Sequence, residues 1–478
     1  MNKLYSYLAL CVTLVTLNAC NKQLSAPPEN AKVEDNTILD QSTAQIALNG
    51  VYYTFANATA TKNGWQVHQV IPAELTGYME YGYGPDTYDN NENGEVTLPF
   101  WDEEYILINA ANGLINGVEA LPDLKFTNGR KAQMLGEARF LRAYGHYRLL
   151  TYYAQWYDIT SKYGVLLRDQ LSNLGNIPKA RSTVKDSYDF ILADLDTAIA
   201  DGPSTNPNYY ATRWAAMVLK MRVLMMRGGS GDYATIMQLA DSVILNSSYT
   251  LEANAVDIFH TKGLSSNEVI LGLVPQALQT ADYYSKSAQY YPGASALYVA
   301  TTALKSLYAN DPRLAWMVGA ANPSASSPNS FYFTKFFVPG SAVSTVSETD
   351  YAIRLTEVYL LKAEAIVRSG GNLADARTLI HTIQSKAGIT ATTNNTNYLA
   401  VEGAITSDSL LMETYKEEAR SLVGEDGLEW MALLRLPLAT VEQLKPTITN
   451  QAQYIFPIPH DEFLYNPTIG DQNPGYNK

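Results

Sequence analysis

The sequence predicts a mainly α-helical fold, built from paired helices, with a loop-rich region and a few short strands. Three observations predict it. Apolar residues recur at helical spacing through residues 129–153. Residues 210–246 and 351–387 share one layout, a helix, a glycine-containing turn and a second helix. Between them, residues 60–100 and 260–350 are rich in Gly, Pro, Asn, Ser and Tyr and fit no helix.

The composition is that of an acidic globular protein. The chain has 478 residues, of which 46% are hydrophobic and 17% charged. It carries 34 Lys and Arg against 47 Asp and Glu, a net charge of −13. Such a chain repels phosphate backbones, so we expect no nucleic-acid partner. The 34 tyrosines are notable, because tyrosine combines a packing ring with a polar tip and is favoured at recognition surfaces.

The N-terminus is typical of an exported, lipid-anchored protein. Lys3 precedes an apolar run from Leu4 to Leu17, which is too short to span a bilayer and predicts a signal peptide over residues 1–19. Leu17-Asn18-Ala19-Cys20 resembles a bacterial lipobox, in which Cys20 would be acylated. The other cysteine, Cys11, lies in the removed segment, which favours an anchoring role for Cys20. A signal peptide that ends at a cysteine by chance is the alternative.

The rest of the chain is predicted to form a polar tether and one folded body. Residues 20–40 are polar and would link the lipid to the body, residues 41–478. We divide the body into an N-terminal helical half, about 41–250, and a C-terminal half, about 251–478. Short strands are predicted at Glu268 to Val274 and at Ser330 to Val338, where β-formers alternate.

The two predicted hairpins have similar residues at the end of the first helix and at the start of the second. Gly228-Gly229 and Gly370-Gly371 can end the first helix of each, and Asp232 or Asn372 can cap the second. Hairpins of this size are typical of tetratricopeptide-like units, which stack to share a core. Two unrelated helical hairpins are the alternative.

Four segments resemble the SusD/RagB family of outer-membrane nutrient-binding lipoproteins. They lie in the family's order and span nearly the whole chain. These segments are Trp101 with Tyr105–Asn112, Gly136–Tyr144, Arg354–Ala365, and Phe456-Pro457-Ile458-Pro459 with Asn473-Pro474-Gly475-Tyr476. The resemblance implies a SusD-like α-superhelix.

The charged and proline-rich signature residues are predicted to be structural. Arg139, Arg142 and Glu364 sit on helices beside apolar positions, and buried charges persist when they are paired. The terminal Pro-rich segment is expected to pack across the body, because proline fixes an extended path. Phe100 and Trp101 are assigned to the core.

The sequence favours a binding protein over an enzyme. The five histidines have no metal-site spacing, and no P-loop, dinucleotide fingerprint or nucleophile elbow occurs. The adjacent carboxylates Glu103-Glu104 and Glu417-Glu418 are interpreted as solvated helix faces. We therefore expect no catalytic site, no metal and no cofactor.

Two clusters of loop aromatics are the candidate ligand-binding residues. Aromatic rings can cover the C–H face of a sugar, and Asp, Asn and Gln side chains can bond its hydroxyls. Packing on the body or on a partner protein is the alternative for each. The candidates are Trp65, Tyr78, Tyr81, Tyr83, Asp86, Tyr88 and Asp89 in the first cluster, and Tyr283, Tyr284, Tyr290 and Tyr291, near Tyr298, in the second.

The family resemblance implies a function. A lipoprotein of this kind would bind a nutrient oligo- or polysaccharide at the cell surface and pass it to a SusC-like TonB-dependent transporter in the outer membrane. Two alternatives stay open. The protein could have the same role with peptide ligands, as in the RagB branch. It could instead be a helical-repeat interaction scaffold without a small ligand. A surface glycan hydrolase is a third, which turnover would reveal.

Overall fold

The computed structural model describes residues 37–84, 99–173, 175–291, 296–326 and 329–477. Over these residues the chain is mainly helical, with short strands between the helices, which confirms the predicted fold class. Brief 3-10 turns and one π turn complete the regular structure. These turns are Asp123–Lys125, Ile258–Lys262, Gly263–Ser265, Ser287–Gln289 and Gln451–Tyr454.

From α3 onward, the N-terminal helices form a row in which neighbours along the chain are neighbours in space, whereas α2 lies outside it. They are α1 (Gln41–Phe55), α2 (Val67–Leu75), α3 (Phe100–Glu119), α4 (Arg130–Tyr153), α5 (Val184–Asp201), α6 (Arg213–Arg227) and α7 (Asp232–Asn246). Helix α3 packs on α4, α4 on α5, α5 on α6 and α6 on α7. Helix α1 packs on both α3 and α4, so the first helix closes over the start of the row.

The C-terminal helices continue this row after an irregular middle region. They are α8 (Thr302–Leu307), α9 (Leu314–Met317), α10 (Thr345–Glu348), α11 (Leu355–Arg368), α12 (Leu373–Lys386), α13 (Thr396–Gly403), α14 (Ser407–Leu422), α15 (Leu428–Leu434), α16 (Leu438–Leu444) and α17 (His460–Tyr465). Helix α11 packs on α7, α12 and α14, and α14 packs on α15. One hydrophobic core accordingly includes residues from Ala44 to Ile469.

Both predicted helical hairpins are present, as α6–α7 and α11–α12, and they stack through the contact of α7 with α11. Gly228 ends α6 in the left-handed region, at φ +57°, where glycine has no steric penalty. Asn372 caps α12 by accepting the Ala374 N–H. The prediction for Asp232 is wrong in detail. Gly231 occupies the N-cap of α7, and the Asp232 carboxylate instead accepts from Arg227 and the Gly229 N–H.

The strands form two small antiparallel sheets. They are β1 (Met79–Tyr81), β2 (Val269–Leu273), β3 (Tyr298–Ala300), β4 (Val318–Ala321), β5 (Phe331–Phe333) and β6 (Asp350–Arg354). One sheet has the order β1-β3-β5-β4, and the other pairs β2 with β6. The predicted strand 268–274 is confirmed as β2. The predicted strand 330–338 is reduced to β5, and residues 351–354, predicted as helix, belong to β6.

The charged signature residues join helices, as predicted. Arg142 on α4 forms two hydrogen bonds of 2.7 Å with the Asp194 carboxylate on α5 and one of 2.8 Å with Asn112 on α3. Glu364 on α11 accepts from Arg435, which follows α15, at 2.6 Å. Burial raises the pKa of Glu364, but Arg435 and Arg368 outweigh it and lower that pKa to about 2.

The interpretation of the paired glutamates as solvated helix faces is wrong. Glu104, Glu417 and Glu418 are buried, and only Glu103 is partly exposed. Each buried carboxylate meets an arginine outside its own helix, as Glu417 meets Arg313 at 2.6 Å. These arginines lie 44, 104 and 17 residues away from Glu104, Glu417 and Glu418, beyond the range that the charge pattern of a single helix records.

The C-terminal segment packs across the body, as predicted. Phe456 and Ile458 are buried. The Phe456 N–H donates to the Tyr152 carbonyl at 2.7 Å, at the end of α4. The Asn473 side chain donates to the Tyr153 carbonyl at 2.9 Å. These backbone contacts attach an extended segment to the start of the helical row.

The buried carboxyl group of Glu429 makes the stability of the fold depend on pH. It is fully buried on α15, and one carboxylate oxygen accepts the Gly424 N–H at 3.1 Å. The other oxygen has no hydrogen-bond partner among the residues that the structure describes. Burial raises the pKa of Glu429 to about 7, against the opposing effect of the Gly424 N–H. The stability linked to this raised pKa is full below pH 4.5 and is lost as the pH rises through about 7.

We expect Glu429→Gln to gain stability over the wild type as the pH rises, by up to about 3 kcal/mol between about pH 5 and about pH 8. The neutral amide removes the cost of ionising a buried carboxylate. Urea unfolding of both proteins at the two pH values checks this. The exposed Asp201→Asn serves as the control and should show no such trend. A difference between Glu429→Gln and wild type that does not change with pH would contradict the prediction.

Candidate ligand-binding surface

The four-stranded sheet brings the two predicted aromatic clusters together. Strand β1 pairs with β3, and Tyr81 lies directly opposite Tyr298. Side chains of directly opposed residues in an antiparallel pair share one face of the sheet. The two ring centroids are 6.0 Å apart at an interplanar angle of 64°. Residues more than two hundred positions apart in the sequence therefore meet at one place.

Five tyrosines lie on or next to this sheet in two groups, and we call them the tyrosine surface. The Tyr83 ring lies 6.1 Å from Tyr81, and the Tyr291 ring lies 5.3 Å from Tyr332. Burial raises the pKa of Tyr332, and the hydroxyls of Tyr83 and Tyr291 raise it further. Tyr83 is 42% exposed and the others are partly exposed. The tyrosine surface consists of Tyr81, Tyr83, Tyr291, Tyr298 and Tyr332.

Backbone hydrogen bonds fix the strand that presents Tyr81 and Tyr83. The Gly82 N–H donates to the Leu297 carbonyl at 2.7 Å, and the Gly82 carbonyl accepts from the Ser326 N–H at 2.6 Å. A Cβ atom at Gly82 would lie 3.3 Å from the Val299 side chain, closer than ordinary van der Waals contact. The two rings are thus held by rigid backbone, which limits the entropy lost when a ligand binds.

Polar side chains occur on the same sheet as the rings of the tyrosine surface. Glu80 on β1 accepts from the Ser330 hydroxyl at 2.7 Å, next to β5. Asn322 follows β4, and its N–H donates to the Ser330 carbonyl at 2.9 Å. The Asn322 Oδ1 accepts from the Ser324 N–H, whereas its buried Nδ2 has no partner among the described residues. The sheet therefore carries rings next to carboxylate, hydroxyl and amide groups.

Three of the predicted ligand contacts belong to the core instead. Trp65 is fully buried, with its ring centroid 5.0 Å from Phe55. Tyr78 is 8% exposed, and its hydroxyl lies 2.8 Å from the Tyr415 hydroxyl. Tyr290 is 1% exposed and donates to Gln69. We leave these three out of the tyrosine surface, because their rings are covered by protein.

The remaining predicted residues are placed differently. Tyr283 is 90% exposed, and its ring lies 5.1 Å from Tyr284, forming a separate exposed pair. Ligand contact by this pair stays a prediction. Asp86, Tyr88 and Asp89, together with the lipidation candidate Cys20, lie outside the described residues.

Sequence reasoning missed Tyr332. The signal was available in Phe331-Tyr332-Phe333, where a ring with a polar tip alternates with two apolar rings in a short strand. Phe333 is fully buried while Tyr332 stays partly exposed, as that alternation predicts. Three residues are too few to fix the face from pattern alone.

The described residues contain neither a metal-binding cluster nor a membrane-spanning helix. No group of three or more His, Cys, Asp or Glu side chains is arranged to hold a metal ion in this part of the chain. No helix among the described residues has the length and apolarity needed to cross a membrane.

Two family models match the chain. Residues 21–225 match a model described as starch-binding and associating with the outer membrane. Residues 317–442 match a model described as the SusD family. A SusD-like protein of Bacteroides ovatus is 26% identical over 181 residues, which are 36% of this chain. The match spans 32% of that relative's own length.

Solved structures share the fold over nearly the whole chain. A SusD superfamily protein from Bacteroides thetaiotaomicron has a TM-score of 0.73 at 21% identity, covering 91% of this chain and 100% of that one. A laminarin-binding SusD-like protein has a TM-score of 0.71 at 18% identity, with coverage of 91% and 100%. NanU of B. fragilis has a TM-score of 0.72 at 16% identity, with coverage of 95% and 100%.

Proposed function

Because this chain belongs to the SusD/RagB family, we propose that its tyrosine surface binds a nutrient glycan, which the protein delivers to a SusC-like TonB-dependent transporter. Binding and delivery break no bond. The match to a model described as starch-binding and outer-membrane associated supports the ligand class and the location. The similar fold of a laminarin-binding SusD-like protein supports the ligand class further.

One observation carries the proposal. The pairing of β1 with β3 places Tyr81 against Tyr298, Tyr83 packs next to Tyr81, and Tyr332 on β5 of the same sheet packs against Tyr291. Rings needed only for packing are usually more covered than that of Tyr83, which is 42% exposed. Here all five stay at least partly exposed and are presented by hydrogen-bonded strands and turns.

The chemistry of the surface suits sugars. A pyranose presents an apolar C–H face, which a tyrosine ring covers by dispersion contact, and a rim of hydroxyls. The partly exposed carboxylate of Glu80 can accept from those hydroxyls. Tyrosine has few rotatable bonds, so ordering its ring on a ligand costs little entropy.

The peptide alternative has weaker support. Peptides often bind by adding a strand to an exposed sheet edge. The edge strands β1 and β4 have only three and four residues, so they offer few backbone hydrogen bonds. The interaction-scaffold alternative leaves the five exposed tyrosines without a role unless a partner protein covers them.

We expect Tyr83→Ala and Tyr332→Ala each to weaken glycan binding by about tenfold to thirtyfold, because truncating a central aromatic anchor costs roughly 1.4–2 kcal/mol. Calorimetric titration of residues 21–478 with starch- and laminarin-derived oligosaccharides, other plant, microbial and host glycans, and a mixed peptide pool measures this. Tyr465→Ala on α17 is a matched control, since that tyrosine is 75% exposed and outside the surface.

The titration separates the alternatives. Glycan binding that Tyr83→Ala leaves unchanged would remove the tyrosine surface from the proposal. Saturable peptide binding without glycan binding would favour the RagB-like branch. Release of shortened sugars during the titration would argue for the hydrolase.

We also propose that the chain is exported, anchored through lipid on Cys20 and exposed at the cell surface. The expected result for Cys20→Ser is loss of labelled fatty acid and release from the outer-membrane fraction. Wild-type protein purified from membranes should bring a TonB-dependent barrel with it, which mass spectrometry identifies. Retention of the serine variant in the outer membrane would show that another segment anchors the chain.

A further inference from the structure

A cavity lies away from the tyrosine surface and shares no residue with it. Its volume is about 170 Å³. It is a cleft open to solvent, bordered by helix α1, the segment that precedes α6, and the end of β2 with the residues that follow. Pockets for drug-sized ligands measure roughly 300–1,000 Å³, so this one suits a single small ring.

Tyrosine rings form much of the wall. The Tyr209 and Tyr210 centroids are 4.8 Å apart at 53°, and Tyr210 lies 4.8 Å from Tyr52 at 74°. Tyr52 is buried, and its hydroxyl donates to Glu137. Tyr53 and Tyr209 are 43% and 39% exposed. Two exposed rings therefore flank the cavity, with two further rings packed behind them.

Uncharged polar groups line the same cavity. Asn49 Oδ1 accepts from Tyr210 at 3.0 Å and from Gln45 at 3.0 Å, which leaves Nδ2 without a partner among the described residues. Gln276 donates to Asn63 at 3.0 Å, so Oε1 is available as an acceptor. The Tyr53 and Tyr209 hydroxyls make no hydrogen bond within the described part of the chain. The site thus offers both donors and acceptors.

The described lining contains no Asp, Glu, Lys, Arg or His. A carboxylated, sulfated or phosphorylated ligand would lose its hydration without gaining an opposite charge, which is unfavourable. A purely apolar ligand would leave the Asn49 and Gln276 groups without hydrogen bonds. A neutral polyhydroxylated ring satisfies both conditions, because its C–H face can lie on tyrosine while its hydroxyls bond the amides.

We propose that this cavity is a second carbohydrate site, which binds one neutral sugar ring between Tyr53 and Tyr209, with hydrogen bonds to Asn49 and Gln276. The proposed site is formed entirely by residues outside the tyrosine surface. It does not require the tyrosine surface to bind a glycan.

The test uses saturation-transfer NMR on residues 21–478 with glucose, galactose, mannose, N-acetylglucosamine, maltohexaose and laminarihexaose. Two double variants are compared with the wild type. Tyr53→Ala with Tyr209→Ala removes the exposed rings of the cavity, and Tyr83→Ala with Tyr332→Ala removes part of the tyrosine surface. We expect at least a fivefold loss of transfer to one or more sugars in the first variant, and persistence of that transfer in the second.

The outcomes separate the two sites. Transfer that survives loss of Tyr53 and Tyr209 but disappears with Tyr83 and Tyr332 would overturn this inference and support the tyrosine surface. The reverse pattern would support the inference even if the tyrosine surface binds nothing. Absence of transfer to every sugar would overturn it. Unchanged melting temperatures show that the variants fold, and Tyr53→Phe with Tyr209→Phe should retain part of the binding because it keeps the rings.

Discussion

Replacement of Arg222 by methionine is expected to lower the free energy of unfolding by about 3–5 kcal/mol, because it leaves buried carboxylates without their cation. Arg222 lies on α6 with its side chain 2% exposed. Its guanidinium donates to both oxygens of Glu357, at 2.5 and 2.8 Å, and to Asp426 at 2.7 Å. It also donates to the Ala352 carbonyl at 2.6 Å. One side chain thus joins α6 to α11, to β6 and to the turn before α15.

Of the two carboxylates that Arg222 contacts, Glu357 is the one left without a cation by Arg222→Met. Asp426 keeps a second cation, since Arg148 donates to it at 2.7 Å. Burial raises the pKa of Glu357, and Arg222 is the main group that lowers it. Without Arg222 this carboxylate must be ionised in an apolar surrounding or take up a proton, and either change destabilises the folded state near neutral pH.

Urea unfolding followed by circular dichroism measures the effect. Lys185→Met is the control, because Lys185 and its partner Asp189 are both largely exposed, and it should change stability by less than about 0.5 kcal/mol. A loss below about 1 kcal/mol for Arg222→Met would mean that apolar packing replaces the buried ion pair at little cost.

Trp65→Ala should lower the free energy of unfolding by about 3–5 kcal/mol and leave ligand affinity unchanged. Trp65 is fully buried between Phe55 and His68. The Arg148 guanidinium lies 4.4 Å from its ring centroid, so the substitution removes a desolvated cation–π contact as well as apolar packing. The residue was a ligand candidate from its sequence, and its burial predicts a purely structural role.

The milder Trp65→Phe separates stability from binding. It keeps an aromatic ring in the core and should cost about 1–2 kcal/mol, so the protein stays folded for titration. Unchanged glycan affinity is the expected result. Weaker binding at unchanged stability would return Trp65 to the ligand-binding residues.

The sequence was most informative where the pattern is long. Helices α4, α6 and α11 carry apolar residues at helical spacing over three or more turns. The glycines between helices predicted the turns of both hairpins. It was also informative for Arg142 and Glu364, because a charge beside apolar helix positions is stable only when paired.

Burial and contact partners at the candidate site could not be predicted. Tyr78 and Tyr81 lie in the same short segment, yet Tyr78 reaches Tyr415 in the core and Tyr81 faces Tyr298. Strands of three residues are too short to give a reliable alternation. Distant partners decide which tyrosine is covered, and no single-sequence pattern records them.

The order of the strands in the tyrosine surface has a consequence for folding. β1 ends at Tyr81, whereas its partner β3 begins at Tyr298 and the next strand, β5, ends at Phe333. Contacts so far apart in the chain form slowly, because a long loop must close before any pairing is gained. Helices α3 to α7 can pack as each is synthesised, but this sheet cannot exist before residue 333 is available. Under the proposed function, glycan binding at the tyrosine surface is therefore among the last properties that a newly made chain acquires, and a chain that ends before Phe333 would lack this site.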